Sequence, residues 1–152
     1  MATASNLLQR AWSDRFRQPD AADLLTGLRG AAGNAFRHAR YVLLAEGATE
    51  RLVWLGTWCW SFAFQLGKDD DRAWVYLIPE PGKPSVCVPV PEGALSGAQA
   101  SQLPKCVREA VAKASVVGGV RWPQWEVLGK SQVEEPISLA RLLAPQQTTP
   151  SK

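Results

Sequence analysis

WCWSFAFQL, residues Trp58–Leu66, alternates large apolar side chains with smaller or polar ones along its whole length. The large side chains at every second position are those of Trp58, Trp60, Phe62, Phe64 and Leu66. Alternation with a period of two, with aromatic residues on one side, is typical of a β-strand that packs one face on a core. The stretch therefore predicts the central strand of a sheet.

The segments around this strand predict further antiparallel strands. Lys68-Asp69-Asp70-Asp71 is a short polar connection, which predicts a hairpin with its tight turn at Asp69–Asp71. The remaining predicted strands are Arg51–Leu55, Arg72–Ile78, Val86–Val90 and Val120–Leu128. Pro123 confines the last of them to a sheet edge or a bulge, because proline has no N–H to donate. The expected fold class is α+β, a four- to five-stranded twisted antiparallel meander covered by helices on one face.

Helices are predicted from apolar spacing of three to four residues. Their expected positions are about 7–16, a segment with Leu24, Leu25 and Leu28, a segment from Phe36 to Leu43, Pro104–Ser115 and Pro136–Leu143. Gly118-Gly119 is expected to stop the fourth helix. Glu134 and Glu135 are expected at the start of the fifth, where the helix dipole favours carboxylates.

These elements predict a single α+β domain over residues 1–144. Its helices at 7–46 precede a sheet-and-helix core at 50–143. The polar tail at 145–152 has nothing to bury and is expected to be disordered.

Composition narrows the classes of partner. The chain has 152 residues, and its formal charge of +3 is spread evenly without a basic stripe, so no nucleic-acid partner is expected. No apolar run is long enough to span a bilayer, so no membrane partner is expected either. Met1–Arg10 lacks the pattern of a signal peptide. The expected location is cytoplasmic.

Residues that could carry chemistry are few. Cys59, Cys87 and Cys106 are odd in number, far apart and set among apolar neighbours, which predicts free, buried thiols. A reactive thiol at Cys106, near a helix start, is the alternative. The lone histidine, His38, is expected on a solvated helix surface, and Asp69–Asp71 in a solvated turn. No catalytic residue, no metal ligand and no cofactor is therefore expected.

Residues from about 50 to 143 resemble an uncharacterised bacterial domain-of-unknown-function family that is related in layout to the YdhG-like domains. The resemblance rests on Gly56 before Trp60, Trp74–Pro79, Val86–Val90, Ser101-Gln102-Leu103-Pro104, the glycine pair and a leucine-rich last helix. The chain departs from the family pattern at Trp122-Pro123-Gln124-Trp125, where a smoother strand is usual. The resemblance implies an α+β fold and implies no activity.

An excess of aromatic residues on the predicted strands is the unusual feature of this sequence. They form a core of large side chains, the lining of a ligand cleft, or a protein-contact surface. The candidate ligand-binding residues are Trp54, Trp58, Trp60, Trp74, Tyr76, Trp122 and Trp125. The leading hypothesis is a non-catalytic module that binds a small apolar or aromatic ligand in a cleft between sheet and helices. The alternative is an interaction domain, including a homodimer, that uses an exposed edge strand near Trp122 and Trp125.

Overall fold

The computed structural model describes residues 11–66 and 73–144. Residues 11–13 are helical. The helices that follow are α1 Ala21–Thr26, α2 Gly30–Ala45, α3 Gly97–Ser101, α4 Lys105–Lys113 and α5 Lys130–Leu143. The strands are β1 Thr49–Trp54, β2 Trp60–Gln65, β3 Val75–Ile78, β4 Ser85–Cys87, β5 Val90–Pro91, β6 Val116–Val117, β7 Val120–Arg121 and β8 Gln124–Glu126.

The main sheet has five antiparallel strands in the order β1-β2-β3-β4-β8. Its first four strands form the predicted meander, and β8 adds the fifth strand beside β4. The predicted α+β fold class and the hairpin of β2 with β3 are confirmed. The predicted turn at Asp69–Asp71 lies outside the described residues.

The central strand begins two residues later than the alternation predicts. The chain must reverse between β1 and β2 so that Trp54 can pair with Trp60. Residues Gly56–Trp58 form a 3₁₀ turn there, and Cys59 has a φ of 52°, which is rare for a residue with a side chain. Trp58 therefore leaves the strand, because a reversal this short cannot continue the extended backbone.

Two other predicted strands are each broken at a proline. Val86–Val90 becomes β4 and β5, separated by Val88 and Pro89. Val120–Leu128 becomes β7 and β8, separated by Trp122 and Pro123. The two breaks lie together, since the Val88 N–H donates to the Pro123 carbonyl at 3.3 Å. The chain thereby forms a second, three-stranded sheet in the order β5-β7-β6.

Gly118 and Gly119 have a different role from the predicted one. The helix before them, α4, already ends at Lys113. The two glycines lie between Val117 and Val120, which pair across the β6–β7 hairpin, and their φ angles are 59° and 74°. Positive φ at both central residues is the requirement of a type I′ hairpin turn, so glycine is needed there for the turn.

The last helix starts six residues before the predicted position. α5 begins at Lys130, so Glu134 and Glu135 lie inside the helix, and the prediction that they start it is wrong. Pro136 is also inside α5 and is buried. Packing explains the extension, because buried side chains are spaced at three to four residues along the helix, at Val133, Ile137 and Ala140.

The helices cover one face of the main sheet. Phe36 of α2 packs against Phe62 of β2 with ring centroids 6.0 Å apart. α5 contacts α2 and the strands β4 and β8. An ion pair joins α2 to β1, where two guanidinium nitrogens of Arg40 donate to the Glu50 carboxylate at 2.5 and 2.9 Å. The core of the domain lies between this face and the helices.

Candidate functional site

The seven candidate aromatic residues do not form one group. Directly paired residues of an antiparallel sheet project to the same face. Trp54 and Trp60 are paired with each other. A row of directly paired residues also runs from Phe62 across the sheet to Trp125, through Leu77 and Val86. Trp54, Trp60 and Trp125 therefore lie on the face that the helices cover. Tyr76 pairs with Ala63 and Cys87 and lies on the opposite face. The structure therefore separates residues that the sequence grouped.

Trp60 and Trp74 belong to the core. Their exposed fractions are 9% and 8%. Trp60 Nε1 donates to the Asp14 carbonyl and Trp74 Nε1 to the Ala140 carbonyl, both at 2.6 Å. Buried, hydrogen-bonded indoles such as these serve stability, so these two residues offer little surface to a ligand.

The Trp74 bond has a second structural consequence, at the end of α5. The Ala140 carbonyl lies in the last turn, and the Ala144 N–H four residues on bonds to Arg141 instead. The last carbonyls of a helix lack helical donors. Trp74 therefore supplies a donor to the C-terminal turn of α5 and ties that helix to the start of β3.

Trp54 and Trp125 are half-buried on the two edge strands. Trp54 contacts Trp60 edge-on, with ring centroids 5.6 Å apart and planes inclined by 71°. Trp125 is opposite Val86, on β8. Both pack at the margin of the helix-covered core, so their exposed parts lie at the sheet edges.

The remaining three residues form what we call the aromatic cluster: Trp58, Tyr76 and Trp122. All three are half-buried. Ring centroids are 5.9 Å apart for Trp58 and Tyr76, 6.2 Å for Trp58 and Trp122, and 6.1 Å for Tyr76 and Trp122. The residues come from the 3₁₀ turn, from β3 and from the link between β7 and β8, so only the folded chain brings them together.

Trp122 has an unusual polar atom within this cluster. Its Nε1 is buried and has no hydrogen-bond partner among the described residues. An indole nitrogen can only donate, and leaving a buried donor unpaired costs about 1–3 kcal/mol. The backbone of Trp122 is fixed by its N–H bond to the Ser115 carbonyl at 3.0 Å. The cluster therefore contains an indole, that of Trp122, whose N–H group is unpaired among the described residues.

Two thiols lie near the cluster and are poor nucleophiles. Burial raises the pKa of Cys59, which follows Trp58, and the negative charge of Glu80 raises it further. Burial alone raises the pKa of Cys87 to about 12. Because the thiolate is the reactive form, the raised pKa makes each of these thiols a weaker nucleophile at neutral pH. All three cysteines are free, as predicted, but Cys106 is exposed, so the prediction that it is buried is wrong.

The other candidate groups do not form a metal site in the described part of the chain. His38 is half-buried on α2. Within residues 11–66 and 73–144, no group of three or more His, Cys, Asp or Glu side chains has the geometry to hold a metal ion.

Two cavities lined by described residues lie away from the seven candidate aromatic residues. A cavity of about 540 Å³ is lined by Ala11, Asp14, Arg17, Gln18, Pro19, Asp20 and Asp23. A shallower one of about 360 Å³ lies along α4 and is lined by Lys105, Arg108, Glu109 and Ala112. None of the seven candidate residues lines either cavity.

Sequence reasoning grouped Trp58 with Trp60, and it did not single out Glu80. A signal was available in Leu55-Gly56-Thr57, where a glycine after a predicted strand indicates a turn that can change the phase of the alternation. No sequence pattern around Trp58 or Trp122 predicts that their rings are in contact.

Fold and site together define an α+β domain with an aromatic cluster on the sheet face opposite α2 and α5. A comparison of the chain with protein-family models, curated proteins and solved structures finds no match. None of the helices in the described residues has the length and apolar character needed to cross a membrane.

Proposed function

We propose that this domain is a non-catalytic binding module and that the aromatic cluster holds a small apolar or aromatic ligand. The observation that carries the proposal is the contact of three half-buried rings from three separate elements, one of which has an unpaired N–H. Ligand sites combine apolar and aromatic surface with a few polar groups that fix orientation. The cluster offers both, on the sheet face opposite the helices rather than between sheet and helices.

The chemistry near the cluster favours binding over catalysis. The two nearby thiols are held in the protonated form, because burial disfavours their thiolates. His38 lies on α2, whose Phe36 packs on the helix-covered side of the sheet. A module of this kind recognises its ligand by shape and stacking.

A thermal-shift screen with flat aromatic compounds tests this proposal. We expect at least one compound to raise the Tm of the wild type and to lose this effect in Trp58→Ala. Trp54→Ala is the matched control, because Trp54 is also a half-buried indole but lies on the helix-covered face. If Trp54→Ala abolishes the shift as completely as Trp58→Ala, the cluster is not the site.

A second proposal, an interaction or self-associating domain, is favoured by the strand edges. β6 is an edge strand of the small sheet, and Val116 and Val117 are 48% and 64% exposed. β8, which contains Trp125, is an edge of the main sheet. Exposed edges with apolar side chains can pair with another chain. A sedimentation experiment that gives only monomer mass at high concentration would contradict the homodimer form of this proposal.

Location and family membership also remain proposals. A cytoplasmic location is supported by three free cysteines, which a reducing compartment would maintain. Membership of the uncharacterised bacterial domain-of-unknown-function family, which is related in layout to the YdhG-like domains, is supported by the α+β order of elements over residues 50–143. Neither nucleic acid nor membrane is proposed as a partner.

A further inference from the structure

We infer that the ligand of the aromatic cluster is a planar, uncharged ring compound that carries a hydrogen-bond acceptor, which receives the Nε1–H of Trp122. This inference rests on the proposed function and adds the chemical class of the ligand. It begins from the polar atom of the cluster that has no partner in the described part of the chain.

Two other buried indoles, those of Trp60 and Trp74, have hydrogen-bond partners for their N–H groups. Trp60 and Trp74 each donate to a backbone carbonyl at 2.6 Å. Trp122 Nε1 is also buried but has no acceptor within residues 11–66 and 73–144. Trp12 Nε1 is also unpaired among the described residues, but Trp12 adjoins residues 1–10, which the structure does not describe. An external acceptor could pair Trp122 Nε1, for which the described residues offer none.

The ring geometry favours a flat ligand. The planes are inclined by 60° for Trp58 and Tyr76, by 69° for Trp58 and Trp122, and by 38° for Tyr76 and Trp122. Offset stacking and edge-to-face contacts are the favourable arrangements of aromatic rings, so a planar compound can stack on one ring and meet the edge of another. Because neighbouring atoms cover Trp122 Nε1, some of them must move to admit the acceptor.

The charge near the cluster argues against an anion. The carboxylate of Glu80 is close enough to raise the pKa of Cys59, the residue after Trp58. Cys59 itself stays neutral because it is partly buried. A negatively charged ligand would therefore meet repulsion from the Glu80 carboxylate.

Quinoline and indole are matched probes for this inference. Both are uncharged bicyclic aromatic compounds of similar size, but quinoline has an acceptor nitrogen, whereas indole has only a donor N–H. We expect the wild type to bind quinoline about tenfold more tightly than indole. The reason is that pairing a buried donor lowers a dissociation constant by about tenfold. Trp122→Phe keeps an aromatic ring and removes the N–H, so we expect it to abolish the preference.

Nuclear magnetic resonance supplies a readout that does not depend on the variant. With uniformly ¹⁵N-labelled wild type, quinoline should shift the assigned indole resonance of Trp122 downfield, whereas the Trp60 and Trp74 indole resonances should stay in place. Indole should leave the Trp122 resonance nearly unchanged.

The outcomes separate this inference from the proposed function. Equal binding of both probes, or a quinoline preference that survives in Trp122→Phe, overturns the acceptor inference and leaves the binding site standing. Binding of neither probe, with no shift of Trp58 or Trp122 resonances, overturns both. A quinoline preference that depends on Trp122, with the matching resonance shift, supports both.

Discussion

The bond from Trp74 to the last turn of α5 leads to a prediction that a single pair of variants can test. In Trp74→Phe the ring remains aromatic but the Nε1–H that reaches the Ala140 carbonyl is lost. The carbonyl is then left without that donor, which costs about 1–3 kcal/mol. Loss of the extra ring atoms from a side chain that is only 8% exposed leaves a small cavity, which adds about 1 kcal/mol. We expect a total loss of about 2–4 kcal/mol in the free energy of unfolding.

Trp122→Phe is the matched control. It removes the same atoms, but the deleted N–H has no partner among the residues that the structure describes, so we expect no hydrogen bond to be lost and a desolvation penalty to disappear. We expect this variant to change the free energy of unfolding by less than about 1 kcal/mol. The assay is urea unfolding followed by far-ultraviolet circular dichroism, with the m-value checked for constancy. Equal destabilisation by both substitutions would refute the reasoning, because the difference is assigned to the Trp74 bond.

Two further predictions concern the small hairpin and the buried thiol. Gly119→Ala should destabilise the domain by about 1–2 kcal/mol, because Gly119 has a φ of 74° that residues with a side chain disfavour. The control is Gly97→Ala, because Gly97 lies in α3 with open space around its Cβ position. If the two variants unfold at the same temperature, the assignment of the turn is contradicted. The stability of the wild type should fall as pH rises from about 9 towards 12, because the folded state holds the Cys87 proton with a pKa of about 12 while the unfolded chain releases it near 9.0. Cys87→Val should flatten this part of the pH dependence of the free energy of unfolding, and an unchanged slope would show that other groups cause it.

The fold was largely predictable because its signals are local. The alternation in Trp60–Gln65 and in Val75–Ile78 belongs to single strands, and a short connection between them leaves only an antiparallel pairing. The helix α2 follows from a stripe that includes Phe36, Ala39 and Leu43, all of them buried. Such patterns can be recognised in one segment at a time, since each element must present an apolar face to the core.

The predicted ends of helices and strands were wrong where a contact with a residue distant in the sequence decides them. α5 extends back to Lys130 because Val133 finds a buried position on the sheet, although Pro136 suggests a helix start. Pro89 and Pro123 divide two predicted strands, and the Val88–Pro123 hydrogen bond shows that the two breaks depend on each other. Single-sequence patterns carry no information about such pairs.

The sequence by itself determined the α+β class, the antiparallel order of the first four strands and the abundance of strand tryptophans. Only the tertiary structure decided what those tryptophans do. The reversal at Gly56–Cys59 moves Trp58 out of phase with Trp60, and the break before β8 brings Trp122 to it. Periodicity assigns a side chain to a face only while the backbone stays extended. Contacts between residues 58, 76 and 122 depend on two breaks in that backbone, so the division into buried core and aromatic cluster arises only when the whole sheet has formed.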